Sequence, residues 1–256
     1  MSSPIWTPDA LSFEARPYRG RCWRLVEAQH LTSTLKLVDT LDEQRILEEL
    51  IEATKPPVPP ECRHLDYLLS TPFRYAPPYP QGSRFRRAGR TAGVYYAAER
   101  PRTAVAELAF YRLLFFAESP DTPWPASAGQ YTAFAADLAT ARHLDLTAPP
   151  LDRDRAAWTD PVGYEPCQSL AEAARAAGAD VLRYESVRDP GAGANLAVLS
   201  CRAFAAPAPA ERRTWHLRLG PSGVAALCEF PREAIDFDRD AFAADPRLSG
   251  MRWERP

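Results

Sequence analysis

The chain has 256 residues, 46% of them hydrophobic and 25% charged, with a formal net charge of -2. That length and balance suit a globular domain with a sizeable core, and the near-neutral charge gives no global attraction to nucleic acid or anionic lipid. No apolar run approaches the roughly 20 residues that cross a bilayer, and Met1–Ala10 has neither the basic start nor the apolar centre of an export signal, so a cytoplasmic protein is expected.

The positive charge is almost wholly arginine; Lys36 and Lys55 are the two lysines. With alanine and proline also abundant, this reads as coding bias, although the planar guanidinium is the group that grips phosphate in pairs. Cys22, Cys62, Cys167, Cys201 and Cys228 are scattered without a CxxC pair, which points to reduced thiols. His30, His64, His143 and His216 are also far apart, so no zinc site and no metal is expected.

Residues 1 to about 55 form an entry segment. Cys22–Val26 has strand composition. Thr40–Thr54 is predicted as a helix: Thr40 with Glu43 makes a capping box, and Ile46, Leu47, Leu50 and Ile51 make an apolar face. Lys55–Pro60 ends it, because proline cannot continue a helix. Next come Thr71-Pro72-Phe73-Arg74-Tyr75, a proline-rich loop, and Gly82-Ser83-Arg84-Phe85-Arg86-Arg87. Gly93–Ala97 reads as a strand. Thr103 to about Phe116 reads as a helix with Val105, Leu108, Ala109, Arg112 and Phe116 on its mostly apolar face, and Glu107 off the centre of that face.

The remainder alternates. Gln130–Asp137 is a strand, and Pro166–Ala177 a helix stopped by Gly178. Val181–Tyr184 is a strand, and Gly191–Asn195 turns into Leu196–Ser200. Thr214–Leu219 alternates Trp215, Leu217 and Leu219 as a half-buried strand does. Mixed elements in irregular order give an α+β class. There is no GxGxxG after a strand, no P-loop and no GxSxG.

An arginine-rich segment, a strand with two tyrosines and a helix bearing a carboxylate can form a site: guanidinium groups on phosphate, a ring on a base, a carboxylate near a sugar hydroxyl or a developing cation. The same residues serve equally as surface arginines, core tyrosines and a solvated glutamate. Residues alone leave both readings open.

The ordered set resembles the RES-domain family, the toxin halves of RES–Xre toxin–antitoxin pairs. The resemblance is carried by Cys22-Trp23-Arg24-Leu25, by Gly82-Ser83-Arg84-Phe85, by Gly93-Val94-Tyr95-Tyr96-Ala97 followed by Thr103-Ala104-Val105-Ala106-Glu107, and by Tyr184-Glu185-Ser186-Val187-Arg188 followed by Gly193-Ala194-Asn195-Leu196. Cys167-Gln168-Ser169-Leu170 matches a helix opening. The matched stretches run from about residue 20 to 205 within one domain of residues 1–256.

The resemblance implies an ADP-ribosyltransferase-like fold, with mixed sheets around an NAD⁺ cleft, and NAD⁺ as substrate. It implies Glu107, Arg24, Tyr95 and Ser186 as catalytic residues, with Arg84, Arg74 and His64 binding NAD⁺. The extended N-terminal part and the Pro72-Phe73-Arg74-Tyr75 segment resemble the ParT subgroup, which ADP-ribosylates phosphoribosyl pyrophosphate synthetase. An Xre-type antitoxin is the implied partner, and a homodimer is common in such complexes. Glu165 and Pro166 stand where some relatives have a serine, so the serine role falls on Ser186. Two alternatives stay open: NAD⁺ loss to water or phosphate without a protein acceptor, and a non-catalytic binding module supported by the arginines of residues 84–90.

Overall fold

The computed structural model describes residues 6–27, 37–75, 80–89 and 91–255. Its helices are α1 (Pro8–Glu14), α2 (Leu41–Thr54), α3 (Tyr67–Ser70), α4 (Pro101–Glu118), α5 (Arg155–Trp158) and α6 (Glu165–Ala176). Its strands are β1 (Arg16–Glu27), β2 (Tyr95–Ala98), β3 (Gly129–Asp145), β4 (Val181–Glu185), β5 (Ala194–Val198), β6 (Glu211–Gly220), β7 (Gly223–Cys228) and β8 (Glu233–Asp238). The expected α+β class is what forms. His30 and much of the proline-rich loop after Tyr75 lie outside the described residues.

All eight strands join in the order β1-β2-β5-β4-β3-β6-β7-β8, and β1 also pairs with β3. That extra ladder, from Arg16–His143 to Glu27–Tyr131, closes five strands into a ring. One pair, Trp23–Ala98, joins β1 to β2. The three-stranded antiparallel run β6-β7-β8 extends from the early part of β3, where Gly129–Ala135 pairs with Glu211–Leu217.

Strand alternation divides the ring into two faces. Cys22, Tyr95, Ala97, Phe134, Ala136, Leu138, Val181, Leu196 and Val198 point inward and form one core, capped by Cys62, Leu65, Leu69 and Phe73. Trp23, Ala98, Ala133 and Ala135 point outward beneath α4, whose Val105, Ala106, Ala109, Phe110 and Leu113 are buried. Leu182, Tyr184 and Ala197 point outward beneath α6. Each fully buried Val, Leu or Phe is worth about 1.5–3 kcal/mol, so α4 is held chiefly by packing. Its buried face is wider than expected: Phe110 and Leu113 are covered, while Leu108 and Arg112 are only half-buried.

Two sequence expectations are corrected. The thiols are not all free: Cys62 and Cys201, both buried and 5.6 Å apart at Cα, form a disulfide joining the capping segment to the turn after β5. Sequence spacing, 139 residues here, carries no information about such a pair. The second concerns α2. Its capping box forms as expected, with Thr40 and Glu43 exchanging backbone hydrogen bonds. Its apolar face, however, does not pack: Ile46, Leu50 and Ile51 are exposed. Arg74 ties the helix's end to the body, donating to Glu52 Oε1 at 2.6 Å and to the Pro56 carbonyl at 2.6 Å. Among the described residues, no helix is long and apolar enough to cross a membrane.

Candidate functional site

Glu107 lies in the second turn of α4 and is half-buried over the ring's outer face. Its Oε1 accepts two hydrogen bonds, from Ser186 Oγ at 2.7 Å and from Asn195 Nδ2 at 2.5 Å. Among the described residues, Oε2 carries no such bond. Asn195 is aimed there by register: on β5 it stands between Ala98 of β2 and Tyr184 of β4, and shares their outward face.

Ser186 is set by the turn after β4. Its Oγ accepts from the backbone N–H of Arg188 at 3.2 Å and of Asp189 at 3.0 Å. A hydroxyl has one proton and two lone pairs. With both lone pairs engaged by amides, the proton is committed to Glu107. The hydroxyl therefore serves as a holder of the carboxylate. Among the described residues, no His–Asp relay bonds to it to make it a nucleophile.

The 186–193 turn is clasped to the start of α4. Thr103 Oγ1 donates to Asp189 Oδ2 at 2.7 Å, and Asp189 Oδ1 accepts from Gly191 N at 2.9 Å. Ser186 N also donates to the Gly193 carbonyl at 2.8 Å. A Cβ at Gly193 would collide with both Thr103 Oγ1 and Asp189 Oδ2, so glycine here lets the clasp close.

A cleft of about 300 Å³ opens against this turn. Phe110, Ser186, Arg188, Asp189, Phe242 and Asp245 are among its walls, with Glu185 also lining it. Glu107 is joined to that wall through its hydrogen bond from Ser186. The C-terminal wall is locked on by a buried ion pair: Arg188 Nη1 meets Asp245 Oδ2 at 2.5 Å, with side chains 3% and 4% exposed. Arg247 adds three more bonds to the same carboxylate, two from its guanidinium and one from its backbone N–H, each 3.0 Å. Arg188 and Arg247 also lie over the ring of Phe110, at 4.3 and 5.0 Å. Burial pushes the Asp245 carboxyl up, but bonds from Arg247 and the nearby Arg188 charge outweigh it and hold it below the usual range.

Beside Glu107, Tyr184 is buried, and burial together with the Glu107 charge pushes its phenol well above the ordinary value. Its ring lies edge-on to Phe85 at 4.8 Å. Tyr96 also faces outward. Its hydroxyl meets Ser83 Oγ at 2.9 Å and accepts from Phe85 N at 3.0 Å, fixing the Gly82–Arg86 turn. Gln168 of α6 gives that turn three more bonds, to the carbonyls of Gln81, Ser83 and Arg86.

The structure thus brings Glu107 and Ser186 together, and separately Arg24 and Tyr95. Arg24 lies on the inner face with its guanidinium 5.3 Å from the Tyr95 ring centre, and donates to the Tyr96 carbonyl at 2.8 Å. Burial lowers its pKa from the ordinary arginine value. Tyr95 is 0% exposed, with its ring edge-to-face against Phe204 at 5.1 Å. Tyr95 thus lies on the inner face, while its neighbour Tyr96 shares Glu107's side of the wall. Period-two alternation decides which of two adjacent tyrosines faces which way, and sequence alone does not say which face is which.

Arg84 stays on the outer side but is buried in structural bonds: its Nη1 to the Trp158 carbonyl at 2.7 Å, its Nη2 to that of Asp160 at 2.9 Å. It also stacks on Tyr164 at 5.0 Å. Arg74 is engaged with α2 as described. His64 is exposed on the turn that follows Cys62, and Glu165 is exposed at the start of α6. Asn195, Tyr184, Arg188 and Asp245 were not singled out as site residues from the sequence. Asn195 had a visible signal, being the one asparagine of the chain. Asp245 had none, because its partner is 57 residues away. Among the described residues, no cluster of three or more His, Cys, Asp or Glu could hold a metal.

Comparison with known proteins gives three results. The family model of the RES domain matches residues 58–220. No curated protein sequence matches the chain. A chain in the crystal structure of the M. tuberculosis MbcT–MbcA toxin–antitoxin complex is similar over 93% of both chains, at 13% identity and a TM-score of 0.45.

Proposed function

The chain belongs to the RES-domain family, and on that premise we propose that it is the NAD⁺-consuming toxin of a toxin–antitoxin pair. Its reaction breaks the nicotinamide–ribose bond and passes ADP-ribose to a protein, for which phosphoribosyl pyrophosphate synthetase is the candidate from the ParT resemblance. The ring and its β6–β8 extension are read as an ADP-ribosyltransferase-like fold, and an Xre-type antitoxin as the partner that restrains it.

The observation that carries this reading is the Glu107 carboxylate, pinned through Oε1 by Ser186, a residue of the cleft wall, and by Asn195, with Oε2 uncommitted among the described residues. Departure of nicotinamide builds positive charge on the ribose, as in glycoside cleavage. A fixed carboxylate beside that carbon stabilises the cation or takes a hydrogen bond from a ribose hydroxyl. A preorganised group of this kind is worth about 10²–10³ in rate. Nicotinamide leaves as a neutral base, so no general acid is required.

The other carried-over residues take distinct parts. Ser186 orients Glu107. Arg24, over the Tyr95 ring and bonded to the Tyr96 carbonyl, supports the wall that carries Tyr96 from the ring's inner face. Arg84 and Arg74 shape the site through the carbonyls and the carboxylate they hold. His64, exposed on the turn after Cys62, remains an NAD⁺-binding candidate from the resemblance.

The test is NAD⁺ loss followed by chromatography, with labelled NAD⁺ and cell lysate in parallel. Wild type is expected to release nicotinamide and label a protein band, and Glu107→Ala to lose turnover by about 10²–10³ while staying folded. Label confined to small molecules would assign the reaction to water or phosphate. Full activity in Glu107→Ala would refute the mechanism, and salt-dependent DNA binding without NAD⁺ loss would favour the non-catalytic module.

A further inference from the structure

Asn195 is the single asparagine among 256 residues. It is buried in the middle of the ring wall, between Ala194 and a run of Leu196, Ala197 and Val198. Its Oδ1 is buried and, among the described residues, has no hydrogen-bond partner. Leaving a buried carbonyl unsatisfied is unfavourable, and such groups call for a reason. An alanine or valine would fill this strand position without that cost. What the carboxamide adds is its donor, and the donor goes to Glu107 Oε1 at 2.5 Å. The opposite amide orientation would set Oδ1 against a carboxylate oxygen, so charge fixes which end faces Glu107.

Two donors therefore converge on one oxygen from two different elements, Ser186 from the turn after β4 and Asn195 from β5. A carboxylate held by one bond can pivot about it. Held by two that come from separate pieces of backbone, it has its Oε1 fixed, and Oε2 is left to other partners.

We propose that Asn195 is a positioning residue for Glu107, acting with Ser186 to present a single, fixed carboxylate oxygen to the reacting centre. The proposal rests on the reading of Glu107 given above, and its test separates the two. Selective ¹⁵N-asparagine labelling of the full chain yields one side-chain amide group, because there is one asparagine. Its two proton signals are expected to be widely split in the wild type and to collapse toward each other in Glu107→Ala. Signals unmoved by that substitution would overturn the contact, and this readout needs no NAD⁺ turnover.

The kinetic arm uses Asn195→Leu, which keeps the volume and loses the donor, and Asn195→Asp, which replaces the donor by a like charge. Both are expected to lower kcat for NAD⁺ about 10–100-fold, with KM within about twofold because Glu107 is misplaced while the substrate contacts remain. A folded Asn195→Leu with wild-type kcat would overturn the proposal. Should Leu fail to fold, Asn195→Asp and the labelled amide decide it. A wild type that leaves NAD⁺ intact defeats the functional reading, while the amide signals still judge the positioning role.

Discussion

Replacing Ser186 by alanine removes three hydrogen bonds at once. The bond to Glu107 is charge-assisted and worth about 1.5–3 kcal/mol. The amides of Arg188 and Asp189 lose their acceptor, and an unsatisfied buried amide costs about 1–3 kcal/mol. Both residues line the cleft, so water entering it recovers part of that loss. The expected destabilisation is about 2–4 kcal/mol, combining those bond terms after partial rehydration. Urea unfolding followed by fluorescence measures it, as a shifted midpoint at unchanged slope. Ser186→Thr keeps the oxygen and is expected to retain most of the stability. A Ser186→Ala protein within about 0.5 kcal/mol of wild type, the range of an ordinary surface change, would refute the reasoning that the hydroxyl organises this turn.

Two further outcomes follow from buried groups. Asp245→Asn leaves the Arg188 guanidinium uncompensated in a 3%-exposed position; breaking such a pair costs about 3–5 kcal/mol, to be read by chemical denaturation. His143 is buried against the Tyr18 ring at 4.7 Å, and burial lowers its pKa below the ordinary histidine value. Its folded form resists protonation while the unfolded chain takes up a proton near pH 6.5, so stability is fully present above about pH 6.5 and falls as pH drops below it. The nearby charges of Asp145, Arg183 and Glu99 modulate the effect without reversing it. His143→Phe is expected to flatten the dependence of Tm on pH between about 7.5 and 5.5 relative to wild type, that interval bracketing the unfolded histidine pKa. An unchanged slope would exclude His143 as its source.

The elements were legible where they repeat. The capping box at Thr40, the proline-and-glycine brackets of α6 and the alternation of β6 each act within a few residues, and each formed as expected. The ring was not legible, because its closure depends on β1 meeting β3 more than 100 residues later. Nor was the face on which each tyrosine of Tyr95-Tyr96 would lie. Glu107 and Ser186 were each named through family resemblance, not periodicity, and the bond between them is a property of the fold. The Asp245 contact and the Cys62–Cys201 disulfide have no local pattern at all, since only the folded topology makes their partners neighbours.

The clasp between Arg188 and Asp245 joins a residue inside the matched RES region to one 25 positions beyond its end at residue 220. Without Asp245 the buried Arg188 charge is left unpaired, whereas Asp245 without Arg188 still keeps Arg247. The stretch after residue 220 is thus no interchangeable appendage: positions 188 and 245 form one hereditary unit. A relative that discards the acid must discard the base as well, or pass through an intermediate whose turn around Ser186 is unsettled. Swapping C-terminal segments between relatives will preserve the site only when both halves of that pair travel together.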